Sequence, residues 1–253
     1  MSEPLLSAEH VSFRYGRFSA VRDVSFAIQA GERCALLGAN GAGKTTLLNA
    51  LAGVTVPTEG RVLYKGADIT RTNAAQRSRL GIGRSFQRTN IFPLLSVLQN
   101  VRLAVQALQG GASMHPWRAV DTIASWNAEA MGALAQVGLD RDPERIAQDL
   151  SYGEQRQLEL AICLAARPEL LLLDEPTAGM SPAETRDVVS LLLERIPASV
   201  TLLIVEHDLE VVERVARRVL VMETGALLAD GTPEQVRSDS RVQEAYLKGH
   251  QLA

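Results

Sequence analysis

Glycines and small residues precede a lysine and a threonine in one loop of this chain, Gly38-Ala39-Asn40-Gly41-Ala42-Gly43-Lys44-Thr45. The loop fits the pattern G-x-x-x-x-G-K-[ST]. Glycines let a backbone wrap closely around a phosphate, so that successive N–H groups point inward. The lysine of this pattern reaches the β- and γ-phosphates, and the hydroxyl that follows ligates Mg²⁺. The loop therefore predicts a nucleoside triphosphate site that includes Lys44 and Thr45.

Two acidic residues, Asp174 and Glu175, follow the apolar run Leu170–Leu173. Ligands of parallel sheets bind at the carboxyl ends of strands, which is where these acids would lie. Asp174 is suited to hold Mg²⁺, and Glu175 could orient or deprotonate a water. A turn after a core strand is the alternative, but together with the phosphate loop the pair favours hydrolysis. A kinase of the same loop class would leave Glu175 unexplained.

Two further positions could contact phosphate. His207 follows the apolar run 200–205, so it would reach the same sheet edge and contact the γ-phosphate. Ser151-Tyr152-Gly153-Glu154 precedes an amphipathic pattern and could form a second anion site at a helix start. It also fits a capping box, which alone would make it an ordinary helix start. Ser181-Pro182-Ala183-Glu184 has the same form, so the box is not specific to a site.

The surrounding pattern predicts elements that would position these residues. Apolar runs at 33–37, 170–173 and 200–205 predict buried strands, and helices are predicted over 44–51, 182–196 and 208–218. Residues 60–69 predict one strand, and a hairpin is expected around Gly225. The middle of the chain, about 90–165, predicts helices. Strand and helix alternation on both flanks predicts an α/β layered sheet with a helical insertion.

Composition excludes several classes of function. The 253 residues carry 26 basic and 29 acidic side chains, a net charge of −3, and 4% aromatic residues, which disfavours nucleic acid as a partner. The apolar runs are far shorter than the about 20 residues of a membrane span, and no secretory signal is visible. Two cysteines form no disulfide framework. We therefore expect an intracellular chain without a transmembrane segment.

Taken together, these motifs resemble those of the ATP-binding cassette (ABC) ATPases, and the resemblance covers nearly the whole chain in the right order. Tyr15 matches the aromatic residue that stacks on adenine. The segment from Gly38 to Thr46 matches the Walker A loop, Leu150 to Gln155 matches the signature motif, and Leu170 to Glu175 matches Walker B with its catalytic glutamate. Gln87 matches the Q-loop glutamine, Ala178 to Ser181 lies at the D-loop, and His207 matches the switch histidine.

The resemblance implies one ABC ATPase domain over 1–253. Its fold would be α/β, with a P-loop NTPase (RecA-like) core, an N-terminal antiparallel β-subdomain and an inserted α-helical subdomain. The expected boundaries are 1–88 and 166–230 for the core with its β-subdomain, 89–165 for the helical subdomain, and 231–253 for the tail.

The resemblance also implies the site residues. The cofactors would be ATP and Mg²⁺. Catalysis would fall to Glu175, His207 and Gln87, and the metal to Thr45, Gln87 and Asp174. The nucleotide-binding residues would be Tyr15, Gly38, Asn40, Gly41, Ala42, Gly43, Lys44, Thr45 and Thr46, with Ser151, Gly153 and Glu154 acting on the nucleotide of a second cassette packed head to tail.

The implied setting is a split transporter at the cytoplasmic face of the bacterial inner membrane. The expected partners are a second cassette, identical or different, the transmembrane permease subunits, which would meet Arg88-Thr89-Asn90-Ile91-Phe92-Pro93, and indirectly a solute-binding protein. No nucleic acid is expected.

Two departures from the common family pattern suggest a subgroup. Tyr152-Gly153-Glu154 replaces the Gly-Gly-Gln of many members, and Ser181 replaces the Asp that often ends the D-loop, which puts the contact across the dimer in question. With the tail from Gly231 to Leu247, these features resemble the cassettes of branched-chain amino-acid importers. Urea, amide and aromatic-acid importers and an exporter ATPase share much of the pattern, and a soluble ABC ATPase is a further alternative. The motifs do not identify the transported solute.

Overall fold

The computed structural model describes residues 3–85, 91–108 and 124–250. Its elements in chain order are β1 (Leu6–Tyr15), β2 (Phe18–Ile28), β3 (Arg33–Gly38), α1 (Lys44–Leu51), β4 (Glu59–Tyr64), β5 (Ala67–Asp68), α2 (Ala74–Arg79), β6 (Ile82–Arg84), α3 (Val97–Leu108), α4 (Ala124–Val137), α5 (Tyr152–Ala165), β7 (Leu170–Asp174), α6 (Pro182–Glu194), β8 (Thr201–Val205), α7 (Leu209–Val215), β9 (Arg218–Glu223), β10 (Ala226–Gly231), α8 (Pro233–Ser238) and α9 (Ser240–His250).

The elements fall into two compact units. The first unit takes the chain up to Ile82, Glu169–Glu175, and the chain from Ala198 onward. The second unit takes Gly83–Pro168 and Pro176–Pro197. The domain boundaries expected from the sequence at 88, 165 and 230 stay a prediction.

An antiparallel sheet in the order β2-β1-β4-β5 forms the N-terminal part of the first unit. This confirms the expected β-subdomain. The expectation of one strand over 60–69 is wrong, because β4 and β5 form a hairpin closed by Lys65 and Gly66. Both turn residues have positive φ, 50° and 73°, which gives the type I′ geometry that matches the twist of paired strands.

A second sheet has the order β10-β9-β3-β8-β7-β6, and β6 begins at Ile82. Strands β7, β8, β3 and β9 run parallel to one another, whereas β10 pairs antiparallel with β9. Strands β7 and β8 are buried along their whole length, as is all of β3 except Arg33. Short apolar runs without alternation are typical of such buried parallel strands. Thus the strands predicted at 33–37, 170–173 and 200–205 are confirmed, and so is the α/β fold class.

Helices α3, α4 and α5 pack against one another in the second unit. Buried residues of α5, such as Leu158 and Ala161, recur on the face that the sequence pattern predicted. In the described part of the chain, no helix is both long and apolar enough to cross a bilayer.

Candidate nucleotide site

Two glycines shape the loop between β3 and α1. Gly38 has φ +152°, and a Cβ there would lie 2.3 Å from the Met222 backbone oxygen. Gly43, in the left-handed conformation at the start of α1, would place a Cβ 2.3 Å from the Ala20 backbone oxygen. No other residue type fits these approaches. The loop is therefore pressed between β2 and β9, and its backbone is held in the shape that the motif predicts.

Lys44 is the buried cation of this loop. Its Nζ donates to the backbone oxygen of Gly38 at 2.7 Å and to that of Ala39 at 3.1 Å. Burial lowers the pKa of Lys44, and the charges of Glu175 and Asp174 act in the opposite direction. The ammonium thus lies within the electrostatic reach of both acids and is folded back onto the loop that would hold phosphates.

The acidic pair lies at the carboxyl end of β7, as expected from the sequence. Asp174 is buried and pairs with Val205 of β8. Glu175 has φ +49°, which is uncommon for a residue with a Cβ, and its backbone N–H donates to the Val205 oxygen at 2.9 Å. Residues held in such sparsely populated conformations cluster at functional sites. The turn points the Glu175 carboxylate towards the segment after β8.

His207 lies in that segment, just after β8. Its Nε2 is 2.5 Å from Oε1 of Glu175. The Glu175 side chain is 13% exposed and that of His207 is 40% exposed. The structure therefore brings Glu175 and His207 into direct contact, as expected of two residues at one sheet edge.

The residues present fit a magnesium ion. Mg²⁺ prefers oxygen donors and is held by one or two protein ligands together with the phosphates of a substrate. The Asp174 carboxylate and the Thr45 hydroxyl supply this donor chemistry at the edge of the sheet and at the first turn of α1. Among the described residues, no group of three or more His, Cys, Asp or Glu side chains could hold a metal ion by itself.

Tyr15 ends β1 on an exposed aromatic surface. Its ring lies 4.8 Å from that of Phe13 and is 55% exposed. Phe18 is its partner across the hairpin and is also exposed. The same hairpin continues into Ala20, whose backbone oxygen bounds the phosphate loop. The exposed ring leaves a face on which a purine can stack, and this role of Tyr15 stays a prediction.

The start of α5 is a fully formed capping box. The Ser151 side chain accepts from the Glu154 backbone N–H, and the Glu154 carboxylate accepts from the Ser151 N–H at 2.8 Å. Glu154 also pairs with Arg145 at 2.8 Å. The Glu184 carboxylate lies beside Gly153, where an added Cβ would be 3.3 Å from its Oε1. Thus the capped-helix interpretation holds, and the anion role of Ser151, Gly153 and Glu154 stays a prediction.

Some predicted residues have other positions or lie outside the described ranges. Gln87 and residues 88–90 of the expected docking segment belong to the part of the chain that the structure does not describe. Ser181 caps α6, accepting from the Glu184 N–H and donating its own N–H to the Glu184 carboxylate at 2.9 Å. Asn40, Gly41, Ala42 and Thr46 lie in the loop and in the first turn of α1.

Sequence reasoning missed two sets of contacts that support the site, those of Arg77 and that of the Tyr152 hydroxyl. Arg77 is fully buried, and its guanidinium donates to the backbone oxygens of Ala50 and Leu51 at the end of α1, both at 2.6 Å. Tyr152 donates its hydroxyl to the Ala178 backbone oxygen at 3.0 Å. Neither contact has a local sequence signal, because each partner is more than 20 residues away.

Comparison with known proteins gives the class to which this fold and site belong. Residues 21–178 match the family model described as ABC transporter. The chain belongs to this family: it is an ATP-binding cassette, whose activity is ATP hydrolysis coupled to transport. Residues 226–247 also match the model described as branched-chain amino acid ATP-binding cassette transporter.

Two curated relatives span nearly the whole chain. The high-affinity branched-chain amino acid transport ATP-binding protein LivG of Escherichia coli (strain K12) is 37% identical over 259 residues, covering 98% of this chain and 99% of LivG. The lipopolysaccharide export system ATP-binding protein LptB of Haemophilus influenzae is 30% identical, covering 96% of this chain and 97% of LptB. The similarity to LivG therefore includes the C-terminal tail.

Solved structures agree with the fold. MJ1267, an ATP-binding cassette of an ABC transporter, in its ADP conformation, superimposes with a TM-score of 0.86 at 29% identity, covering 97% of this chain and 99% of that one. The dimeric structure of MJ0796, a bacterial ABC transporter cassette, has a TM-score of 0.77 at 25% identity, covering 90% and 98%. The expected ABC ATPase fold is confirmed.

Proposed function

We propose that this chain is the ATP-hydrolysing subunit of an importer for branched-chain amino acids. The observation that carries the proposal is the end-to-end similarity to LivG, including a tail matched by the branched-chain family model. The transported solute does not contact a cassette, so no residue of the site identifies it. The tail and the two unusual motifs around Tyr152 and Ser181 support the same subgroup.

The proposed chemistry uses the sheet edge of the first unit. ATP would enter the phosphate loop, where Lys44 would exchange its bonds to Gly38 and Ala39 for bonds to phosphate oxygens. Glu175 would accept a proton from the water that attacks the γ-phosphate, and His207, now 2.5 Å from it, would hold its carboxylate in place. Thr45, Asp174 and Gln87 would hold Mg²⁺, which neutralises charge on the β- and γ-phosphates when bound.

We propose that two cassettes pack head to tail, so that each ATP lies between one phosphate loop and the other chain's α5 start. The dimeric structure of MJ0796 supports the pairing of two cassettes. In this chain, Ser151, Gly153 and Glu154 would act on the nucleotide of the second cassette. Binding would favour the closed dimer and hydrolysis the open one, which is a population shift that depends on γ-phosphate contacts.

We propose that the permease subunits dock on the segment around residues 88–93. Phe92 is 58% exposed and Leu94 is 76% exposed, which is unusual for neighbouring large apolar side chains. Asn100 holds the backbone beneath them by accepting from the Phe92 N–H at 2.8 Å and donating to its oxygen at 3.0 Å. This fixed apolar pair suits a cytoplasmic helix of a membrane subunit. The cassette would thus be peripheral at the cytoplasmic face of the membrane, and a solute-binding protein would act only through the permease.

An exporter is the alternative with a specific observation in its favour, namely the 30% identity to LptB over nearly the full length. Urea, amide and aromatic-acid importers share the same motifs. The higher identity to LivG and the matched tail favour the branched-chain importer.

The decisive experiment is purification of the tagged chain from membranes with its associated proteins, followed by reconstitution in liposomes. We expect a polytopic membrane partner and an ATPase rate that rises with leucine, isoleucine or valine and the cognate binding protein. The Glu175→Gln complex is the matched control for background hydrolysis. Stimulation by urea or an aromatic acid instead, or by no solute at all, would overturn the proposed substrate.

A further inference from the structure

The Tyr152 hydroxyl joins the start of α5 to the turn that follows Walker B. It donates to the Ala178 backbone oxygen at 3.0 Å and accepts from Nη2 of Arg156 at 3.0 Å. A phenol that accepts from a cation becomes a better donor, because hydrogen bonds in a chain polarise one another. The cation of Arg156 therefore strengthens the hydrogen bond that the Tyr152 hydroxyl donates to Ala178.

Arg156 is itself held in place. Its Nη1 donates to Oε2 of Glu159 at 2.7 Å, and both side chains are almost wholly buried. Its guanidinium carbon lies 5.3 Å from the centre of the Tyr152 ring, at cation–π distance. The ring therefore has a fixed orientation, although Tyr152 is 40% exposed.

The turn that Tyr152 contacts is short and depends on a glycine. The Met180 N–H donates to the Thr177 oxygen at 3.2 Å, and Gly179 has φ +77°. A Cβ placed on Gly179 would lie 3.7 Å from the Tyr152 hydroxyl, so the aromatic ring borders the glycine directly. Tyr152 therefore supports this turn from the side of α5.

A second contact joins the same two segments. The Glu184 carboxylate accepts from the Ser181 N–H and hydroxyl, which lowers the pKa of Glu184. The same carboxylate lies beside Gly153, where an added Cβ would be 3.3 Å from its Oε1. The carboxylate and the Tyr152 hydroxyl thus connect residues 152–153 to residues 178–184 at two points. These two segments hold the signature motif and the D-loop.

We propose that Tyr152 is a positioning residue that makes the signature motif and the turn 177–180 move as one body when the ATP dimer closes. The inference rests on the proposed head-to-tail dimer. A side chain so exposed contributes little to the core, yet ordering a tyrosine costs side-chain entropy. Its two hydrogen bonds are therefore better explained by the alignment of Ser151 with the turn than by folding stability. The tyrosine that departs from the common family pattern at position 152 would then have a structural role.

The test compares Tyr152→Phe, which removes only the hydroxyl, with Tyr152→Ala, which removes the ring as well. The matched control is Ser190→Ala, which deletes a hydroxyl bonded to Glu194 on α6 and touches neither segment. In the complex with its membrane partner, we expect Tyr152→Phe to lower kcat about fivefold, as befits a net loss of about one hydrogen bond. The KM for ATP and the thermal unfolding temperature should stay as in the wild type, and Tyr152→Ala should lose more activity.

A second measurement separates this inference from the proposed function. In the Glu175→Gln background, light scattering against ATP concentration reports dimer formation. We expect Tyr152→Phe to raise the half-dimerisation concentration severalfold while ATP affinity of the monomer is unchanged. If Glu175→Gln does not dimerise with ATP, the proposed dimer fails and the inference with it. If Glu175→Gln dimerises and Tyr152→Phe matches it in kcat and half-dimerisation concentration, only the inference is overturned.

Discussion

The His207 imidazole lies 2.5 Å from the Glu175 carboxylate, and these residues come from two neighbouring parallel strands. Glu175 reaches this contact through a left-handed backbone conformation immediately after β7. His207 follows β8 by two residues. The imidazole therefore fixes the orientation of the candidate base.

Glu175→Gln is expected to lower ATP turnover by about 10²–10⁴-fold, the usual contribution of a general base. ATP binding should remain, because glutamine keeps the shape of the side chain and loses only its charge and basicity. Steady-state phosphate release and equilibrium nucleotide binding measure the two effects. His207→Ala is the companion variant and should lower turnover less, since it removes only the group that orients the base. Unchanged turnover in Glu175→Gln would remove Glu175 from the base role.

Lys44→Ala is expected to weaken ATP binding by about 10–100-fold, because it removes charge-assisted hydrogen bonds of about 1.5–3 kcal/mol. Titration of the purified cassette with a fluorescent ATP analogue measures the affinity. Lys65→Ala is the matched control, since Lys65 forms an exposed pair with Glu169 in the same unit. Equal affinities for both variants would argue against the phosphate-loop assignment.

Tyr15→Ala is expected to weaken ATP binding by about 5–100-fold, from the loss of base stacking worth roughly 1–3 kcal/mol. Tyr15→Phe should bind ATP almost as well as the wild type, because the ring remains. Inorganic tripolyphosphate has no base, so its affinity should be the same for all three proteins. A loss of tripolyphosphate binding in Tyr15→Ala would show damage to the phosphate loop instead of a lost stacking contact.

The two cysteines should be inert in the native protein. Burial raises the pKa of Cys34 and that of Cys163 to about 12, above the ordinary value near 9. A thiol whose pKa is raised by folding adds stability that is fully present below the unfolded pKa. This stability is lost as pH rises from about 9 towards 12. Ellman titration at pH 8 should therefore find no rapid thiol in native protein and two in urea. One rapidly reacting equivalent in the native protein would contradict the burial.

Much of the site could be predicted from the sequence because its residues follow buried strands directly. The order of the strands brings Asp174, Glu175 and His207 to one sheet edge, and Lys44 follows β3 through a glycine-rich loop. A periodicity of apolar residues is sufficient to find such strands. The strand predicted over 60–69 failed for a local reason, since Lys65 and Gly66 both adopt positive φ and reverse the chain.

The supporting contacts could not be predicted, because they join residues distant in sequence through backbone atoms. Tyr152 contacts the oxygen of Ala178, and a backbone oxygen is present whatever the residue type. The short helix α2 was missed as well, since its apolar pattern is weak and its one buried side chain is Arg77. A buried arginine does not contribute to a periodic pattern of apolar residues. Its role here depends on the position of the end of α1.

Arg77→Ala is expected to destabilise the first unit by at least about 2 kcal/mol, since hydrogen bonds to a charged group contribute about 1.5–3 kcal/mol and truncation of a fully buried side chain leaves a cavity. Besides Ala50 and Leu51, the guanidinium donates to the Ile69 oxygen at 2.6 Å. Burial lowers the pKa of Arg77 to about 10, which still leaves the side chain charged at neutral pH.

Arg77→Lys should restore only part of this stability, because one ammonium cannot reproduce the fork geometry of the guanidinium. Arg79→Ala, on the exposed side of the same helix, is the matched control and should leave the urea midpoint unchanged. Urea unfolding followed by far-UV circular dichroism ranks the variants. If Arg77→Ala and Arg79→Ala had the same urea midpoint, Arg77 would contribute nothing measurable to stability. The end of α1 would then be held by its own packing.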